Sequence, residues 1–306
     1  MALTWNQISA ITQTKIIPKM QDNVFRQIPL FNRLKKKEKL LDGGTKVLVP
    51  LEYAQNTSGG WYAGAETLNN DDVEVITAAE FDWKQHYQSI VVKRDDELKN
   101  SGDSQILNFV KSKVKNAERS MRDRFGTGVW NNGSDAKAVL GIRSWLSTTN
   151  TYGGISQSTY SWWQPATVDS TSTALSFLVL QTIHGLCTID SDKPTVSLTT
   201  QTLYDKYYLM LQPQQRFMDS ETAKAGFQSL MFNGHPVIVD SKTPTGHWVM
   251  LNEDYLDFNS HKEENFRSEP FAKPVNQNAK VSHIYWMGAF TNSNVRMHGA
   301  ATALTN

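Results

Sequence analysis

Apolar residues at Ile106, Val110, Val114, Ala117, Met121 and Phe125 recur in steps of four, four, three, four and four, which keeps one face apolar at the helical period. One continuous helix with a single buried side is the consequence. Asp103 or Ser104 can cap its first amides, Gly126 and Gly128 follow the last apolar position, and neither Pro nor Gly interrupts residues 103–125. Such a helix is roughly 34 Å long at 1.5 Å per residue. Burying its stripe contributes on the order of 10 kcal/mol before entropy is subtracted. The β-rich run 281–290 is the expected underlay, because nothing nearer in sequence supplies a long strand.

The rest of the chain divides around that helix. Residues 1–42 mix short apolar clusters with Pro18 and Pro29, which break any long helix and leave an arm with one or two short ones. Asp42-Gly43-Gly44-Thr45 signals a turn. It is followed by a β-rich run, 46–53, that Pro50 confines to an edge position. A second β-rich run covers 73–93, and the two predict the arms of one long hairpin. Their connection, 54–72, is polar except for Trp61, Tyr62 and Leu68. A loop of about that length inside a compact domain tends to be functional. Its exposed aromatics call for a partner surface.

Beyond the helix, 173–186 reads as a helix apolar all round. A βα-like alternation then predicts strands at 195–198, 227–232, 237–239 and 248–251 and a helix at 200–211. Residues 136–254 are therefore expected to form a mixed α/β unit.

Charge is distributed unevenly although the net formal charge is only +1. Residues 1–42 carry eight basic side chains (Lys15, Lys19, Arg26, Arg33, Lys35, Lys36, Lys37, Lys39) against three acids (Asp22, Glu38, Asp42). The long helix adds Lys111, Lys113, Lys115, Arg119, Arg122 and Arg124 against Asp103, Glu118 and Asp123. Between Lys46 and Lys84 there is no base, but there are seven acids: Glu52, Glu66, Asp71, Asp72, Glu74, Glu80 and Asp82. Separate segments thus face different surroundings. The basic arm and helix suit shallow, sequence-independent contact with phosphates, and equally a solvated helix face.

Signals for chemistry are weak by comparison. The single cysteine, Cys187, excludes an internal disulfide framework and a multi-cysteine metal site. No two of the seven histidines (His86, His184, His235, His247, His261, His283, His298) lie three or four apart on a predicted helix. No phosphate-binding glycine loop or nucleophile elbow occurs. Cys187 with His184 three residues earlier is expected to be a small core thiol, not a nucleophile. Asp71-Asp72 and Asp95-Asp96-Glu97 suit solvated turns and helix starts. The expectation is no catalytic, metal-binding or cofactor-binding residue and no cofactor. The opening residues lack a charged-then-apolar leader and no apolar run reaches the roughly 20 residues of a membrane span; a soluble intracellular product is expected.

The succession of Phe25-Arg26-Gln27-Ile28-Pro29-Leu30-Phe31, Asp42-Gly43-Gly44-Thr45, Pro50-Leu51-Glu52-Tyr53, Gly60-Trp61-Tyr62-Ala63-Gly64-Ala65-Glu66, Ser147-Thr148-Thr149 and Thr151-Tyr152-Gly153-Gly154-Ile155, with the order of parts, resembles the major capsid proteins of tailed bacteriophages with the Hong Kong 97 fold. The strings lie in the first half; the remainder fits by architecture. The resemblance implies an α+β fold with an N-terminal arm (1–42) and an E-loop hairpin (43–93). It further implies a P-domain with a long spine helix on a sheet (94–135), a mixed α/β A-domain (136–254), and a return strand of the P-domain with a C-terminal tail (255–306).

Shell formation is then the implied activity, with many copies of the chain in hexamers and pentamers enclosing double-stranded DNA in a virion assembled in the host bacterial cytoplasm. The E-loop residues Trp61, Tyr62, Glu66, Leu68, Asp71 and Asp72 would contact a neighbouring subunit. Lys35, Lys36, Lys37, Lys111, Lys115, Arg119 and Arg122 would face DNA. Some relatives weld subunits through an E-loop lysine, and none lies between Val47 and Trp83 here. No scaffolding extension precedes the arm, so a separate scaffolding protein and a portal are the implied partners, with no membrane. The alternatives are an encapsulin-like cargo shell, or a ligand-binding or hydrolytic enzyme using Trp61, Tyr62, Trp162 and Trp163 as a stacking platform.

Overall fold

The computed structural model describes residues 28–99, 109–169, 173–215, 230–275 and 277–305. The elements in chain order are α1 (Pro29–Lys36), β1 (Lys39–Leu41), β2 (Val47–Glu52), β3 (Ile76–Phe81), β4 (Lys84–Lys93), α2 (Arg94–Lys99), α3 (Phe109–Val129), α4 (Ile142–Trp145), β5 (Thr151–Tyr152), β6 (Ile155–Ser156), β7 (Ala166–Asp169), α5 (Phe177–Leu186), β8 (Val196–Thr199), α6 (Gln201–Gln215), β9 (Met231–Phe232), β10 (His235–Val239), β11 (Trp248–Leu251), β12 (Leu256–His261), β13 (Arg267–Ser268), β14 (Ala279–Asn292) and β15 (Gly299–Thr302). Contacts divide the chain into two units. The described parts of the smaller lie within Tyr87–Asp123 and Phe266–Tyr285, and those of the larger within 28–86, Arg124–Asn265 and Trp286–Asn306.

The larger unit is built on a six-stranded mixed sheet in the order β7-β15-β11-β8-β10-β9. β8 runs parallel to β10 and antiparallel to β11. Every residue of β8 and β11 is buried, which is why both read as short continuous runs with no alternation. Helices α5 and α6 supply Leu180, Ile183, Leu203 and Tyr207 to a core shared with Val237, Trp248, Met250 and Ala301.

A second sheet of this unit pairs β1 parallel to β12 and β12 antiparallel to β14. Rings from distant parts of the chain cover it: Phe31 stacks on Phe125 at 5.4 Å, Phe258 on Trp286 at 5.2 Å, and Phe125 meets Trp286 edge-on at 4.7 Å. The predicted return strand thus lies under the predicted helix.

In the smaller unit β14 pairs with β13, placing Arg267 opposite Tyr285 and Ser268 opposite Ile284. β4 pairs with β14 as well. Lys113 donates to the Val91 carbonyl at 2.8 Å, which ties α3 to β4.

Pro29 begins α1, a short helix of the kind expected in the arm, because at the first helical position its missing N–H has no partner to lose and its φ is already helical; Leu30, Phe31 and Leu34 bury the inner face. Three expectations are corrected. Gly126 and Gly128 do not end the long helix, which continues to Val129. A Cβ on Gly126 would sit 2.5 Å from Ile28 Cδ1, and one on Gly128 would sit 3.2 Å from Val139 Cγ2, so both glycines serve close packing. The β-rich run 73–93 is not one hairpin arm: β3 pairs with β2, whereas β4 pairs with β14 in another sheet. The helix expected at 173–186 starts at Phe177, where the Ser176 side chain caps it by accepting from the Val179 N–H at 3.3 Å. It is not buried all round, since Leu178 is 77% exposed.

Within the stripe on α3, Ala117, Met121 and Phe125 are buried. The cap at Asp103 or Ser104, Ile106, and the arm residues 1–27 lie outside the described residues.

Candidate functional site

The site with most exposed recognition chemistry is the hairpin formed by β2 and β3. Its six register pairs run from Val47–Phe81 to Glu52–Ile76, with Pro50 opposite Ala78. Pro50 sits without cost because β2 has a partner on one side only within a two-stranded sheet.

The root of the hairpin is held firmly. Phe81 meets Tyr152 edge-on at 5.1 Å, and the Glu80 N–H donates to the Gly153 carbonyl at 2.9 Å. Gly153 has φ +59°, and a Cβ there would lie 2.8 Å from the Ala79 Cβ, so only glycine fits both the conformation and the approach. Tyr53 stacks on Trp162 at 5.4 Å. At the hinge the Trp83 indole N–H donates to the Gly44 carbonyl at 2.9 Å. There Gly43 and Gly44 adopt φ +135° and +112°. Lys46 and Glu80 form an ion pair at 2.7 Å, and hydrogen bonding to that carboxylate raises the Lys46 pKa.

Beyond the root, residues 53–75 have no helix or strand, and every residue from Gly59 to Asp72 is exposed. Asx turns supply the local order: Asn56 Oδ1 accepts from the Ser58 N–H at 2.9 Å, and Asn69 Oδ1 from the Asp71 N–H at 3.0 Å. Trp61, Tyr62, Glu66, Leu68, Asp71 and Asp72 all lie on this tip, with Trp61 at 104% of its reference exposure. The tip thus exposes an indole and three carboxylates to solvent.

The basic residues separate into two groups. Lys111, Lys115, Arg119 and Arg122 follow an i, i+4, i+8, i+11 spacing on α3 and share one face, with Lys111, Lys115 and Arg122 exposed. In the arm, Lys36 is exposed, whereas Lys35 pairs with Glu38 at 3.2 Å and Lys37 with Asp254 at 2.7 Å. Lys37 belongs to a clamp that no sequence pattern announces. Arg33 donates through Nε to Glu253 Oε1 at 2.6 Å, with a second bond to Oε2, and Lys39 pairs with Asp257 at 2.7 Å. Hydrogen bonding to the Glu253 carboxylate raises the Arg33 pKa. A bidentate fork of this kind fixes geometry as well as charge, and it fastens α1 to the loop before β12.

The aromatic platform does not assemble. Trp163 is buried and donates its N–H to the Tyr152 carbonyl at 3.0 Å, and Trp162 is occupied by Tyr53. Trp162 also lines a shallow pocket of about 390 Å³ with Pro165, Leu186 and Arg296. Cys187 is buried, and desolvation pushes its thiol up to about 12, leaving it protonated near neutral pH. The His184 and His235 rings are parallel at 5.7 Å, and His235 Nε2 lies 2.7 Å from Ser197 Oγ. Among the described residues no group of three or more His, Cys, Asp or Glu could hold a metal ion, and no helix is long and apolar enough to cross a membrane.

No protein-family model and no curated protein matches the sequence. Solved structures do match. A chain of the cyanophage A-1(L) capsid asymmetric unit superposes with TM-score 0.74 at 16% identity, covering 99% of this chain and 100% of that one. The holo-SrpI encapsulin complex of Synechococcus elongatus PCC 7942 gives 0.64 at 9% identity over 99% and 96%. Gordonia phage Cozz gives 0.62 at 14% over 97% and 93%. With helix α3 on β14, the projecting β2–β3 hairpin and the six-stranded mixed unit, the chain has the α+β fold of the Hong Kong 97-type capsid proteins.

Proposed function

We propose that this chain is the major capsid protein of a tailed bacteriophage, a structural protein whose activity is self-assembly into an icosahedral shell around double-stranded DNA. The observation that carries this reading is the hairpin tip: its root is packed, while Gly59–Asp72 is wholly exposed, acidic and aromatic, a combination that a solitary protein has no use for. Likeness along nearly the whole chain to a cyanophage capsid subunit supports it.

On this reading 1–42 is the N-terminal arm, the β2–β3 hairpin the E-loop, β4 a strand beside the return strand, 94–135 the P-domain with its spine helix, 136–254 the A-domain, and 255–306 the return strand with the C-terminal tail. Tip residues Trp61, Tyr62, Glu66, Leu68, Asp71 and Asp72 contact a neighbouring subunit in hexamers and pentamers. Lys35, Lys36, Lys37, Lys111, Lys115, Arg119 and Arg122 are the candidates for phosphates, Lys35 and Lys37 also meeting carboxylates. A separate scaffolding protein and a portal complete the partners, and the product is a virion component assembled in the host cytoplasm.

The likeness to an encapsulin favours a second reading, a shell around protein cargo. Electron microscopy of the expressed protein, alone and with the products of adjacent genes, tests the first claim: closed shells are expected, and a monodisperse monomer under every condition overturns it. Nuclease-protected double-stranded DNA in shells from infected cells separates the phage reading from the cargo reading.

A further inference from the structure

The sequence holds two Asn-Gly steps, Asn132-Gly133 and Asn233-Gly234. Such a step is chemically weak, because the residue that supplies the attacking nitrogen has no Cβ to hold it away from the preceding carboxamide. The fold gives the two steps opposite surroundings.

Asn132 lies in the turn between α3 and α4, where Asn132, Gly133 and Ser134 are all exposed. Its Oδ1 accepts from the Ser134 N–H at 3.1 Å. That bond folds the carboxamide over the following peptide and aims a backbone N–H at the oxygen on which negative charge develops during attack. Among the described residues the Asn132 Nδ2 donates to nothing, so the leaving nitrogen is unrestrained. Asn233, in the turn between β9 and β10, is instead held at φ +44°, and its Nδ2 donates to Gln181 Oε1 at 2.9 Å.

Other Asx turns supply the polarised oxygen without the glycine. Asn56 and Asn69 accept from the N–H groups of Ser58 and Asp71 but are followed by Thr57 and Asn70. Asn252 and Asn292 accept from those of Asp254 and Asn294, but both are buried and followed by Glu253 and Ser293. Among the described asparagines, Asn132 alone combines exposure, a polarised carboxamide and a glycine successor.

We propose that Asn132 is a site of spontaneous deamidation, the reactants being the chain itself and water. The Gly133 nitrogen loses its proton to solvent base and bonds to Asn132 Cγ. The Cγ–Nδ2 bond then breaks, Nδ2 takes a proton and leaves as ammonia, and a five-membered succinimide remains. Water opens that ring in two ways. Attack at Cγ yields an ordinary aspartate linkage, and attack at the backbone carbonyl yields an isoaspartate with one extra methylene in the main chain. Either product puts a new carboxylate just past the C-terminal end of α3, where the helix dipole disfavours negative charge. The isoaspartate also lengthens a turn pinned by Asn131, whose N–H donates to the Gly128 carbonyl and whose Nδ2 donates to the Val139 carbonyl, both at 3.0 Å. The reaction needs one chain only and is independent of shell assembly.

Peptide mapping of the full chain aged in mildly alkaline buffer tests this, read by the mass gain of exchanging NH2 for OH and by labelling with an isoaspartate methyltransferase. The gain is expected in the peptide Phe125–Lys137, assigned to Asn132 by fragmentation, about tenfold faster than at Asn233. In denaturant the two steps are expected to converge. Gly133→Ala is expected to slow the gain about tenfold, and Asn132→Gln to remove it, with melting of each variant as a folding control. Where Gly133→Ala fails to fold, the comparison of the two steps inside the unaltered chain decides. Equal rates at Asn132 and Asn233 in the folded chain, an earlier gain at Asn56 or Asn69, or no gain at Asn132 overturns the proposal.

Discussion

The six-stranded unit and the hairpin tip are built from the same amino acids to opposite ends. In the first, β8 and β11 bury every side chain, and Trp248 lies in a core with Tyr207, Met250 and Ala301. In the second, no residue from Gly59 to Asp72 is covered and Trp61 lies wholly in water. An indole contributes to stability in proportion to the apolar area that it removes from water. Trp248 therefore belongs to the free energy of the chain, and Trp61 to that of whatever it meets. The two regions are joined by a root at Phe81, Tyr152 and Gly153.

Paired substitutions break the comparison most directly. Trp248→Ala removes a fully buried ring and is expected to destabilise the chain by about 3–5 kcal/mol, measured by denaturant unfolding, with assembly lost because the subunit is lost. Trp61→Ala is expected to leave unfolding within about 0.5 kcal/mol while reducing shell yield. Equal effects of both on unfolding would erase the distinction.

Acid sharpens it next. Burial lowers the pKa of His298 to about 3 and of His235 to about 4, and desolvation also lowers His184 and His86. An imidazole held neutral in the fold but free to protonate when unfolded, near its usual value of about 6.5, makes the unfolded chain bind more protons below that pH. The stability is fully present above about 6.5 and is lost as pH falls toward the folded values, at up to ~1.4 kcal/mol per pH unit for each such group. Denaturant unfolding at pH 7 and pH 5 checks this; a flat profile would show that these rings are hydrated.

The smallest effect belongs to the joint between the regions. Gly153→Ala forces a side chain into φ +59° and against the Ala79 Cβ, at a cost of about 1–2 kcal/mol. It is expected to loosen β3 from the body, seen as faster amide exchange at Glu80, with the six-stranded core unchanged.

Much of this was legible in the chain alone, for reasons of period and composition. The apolar stripe on α3, the continuous runs of β8 and β11, and the exposure of Trp61 and Tyr62 in a Gly- and Asn-rich loop are local properties, because side chains a few residues apart share a face whatever the rest of the chain does. Leu178 misled because an apolar side chain reads as buried until its surroundings are known.

What tertiary structure alone decided lies at long range. The parting of β3 from β4, the parallel pairing of Lys39–Leu41 with β12, and the fork between Arg33 and Glu253 join residues up to 220 positions apart. No periodicity encodes such a partner. The Phe81–Tyr152 contact at the hairpin root and the Tyr87–His283–Tyr285–Arg267 ladder likewise exist only once strands from separate stretches lie side by side. Sequence by itself determined which segments had to bury a face and which could not, since that follows from neighbours along the chain. The fold determined what each face was buried against, because partners across a sheet are chosen by closure of the whole core.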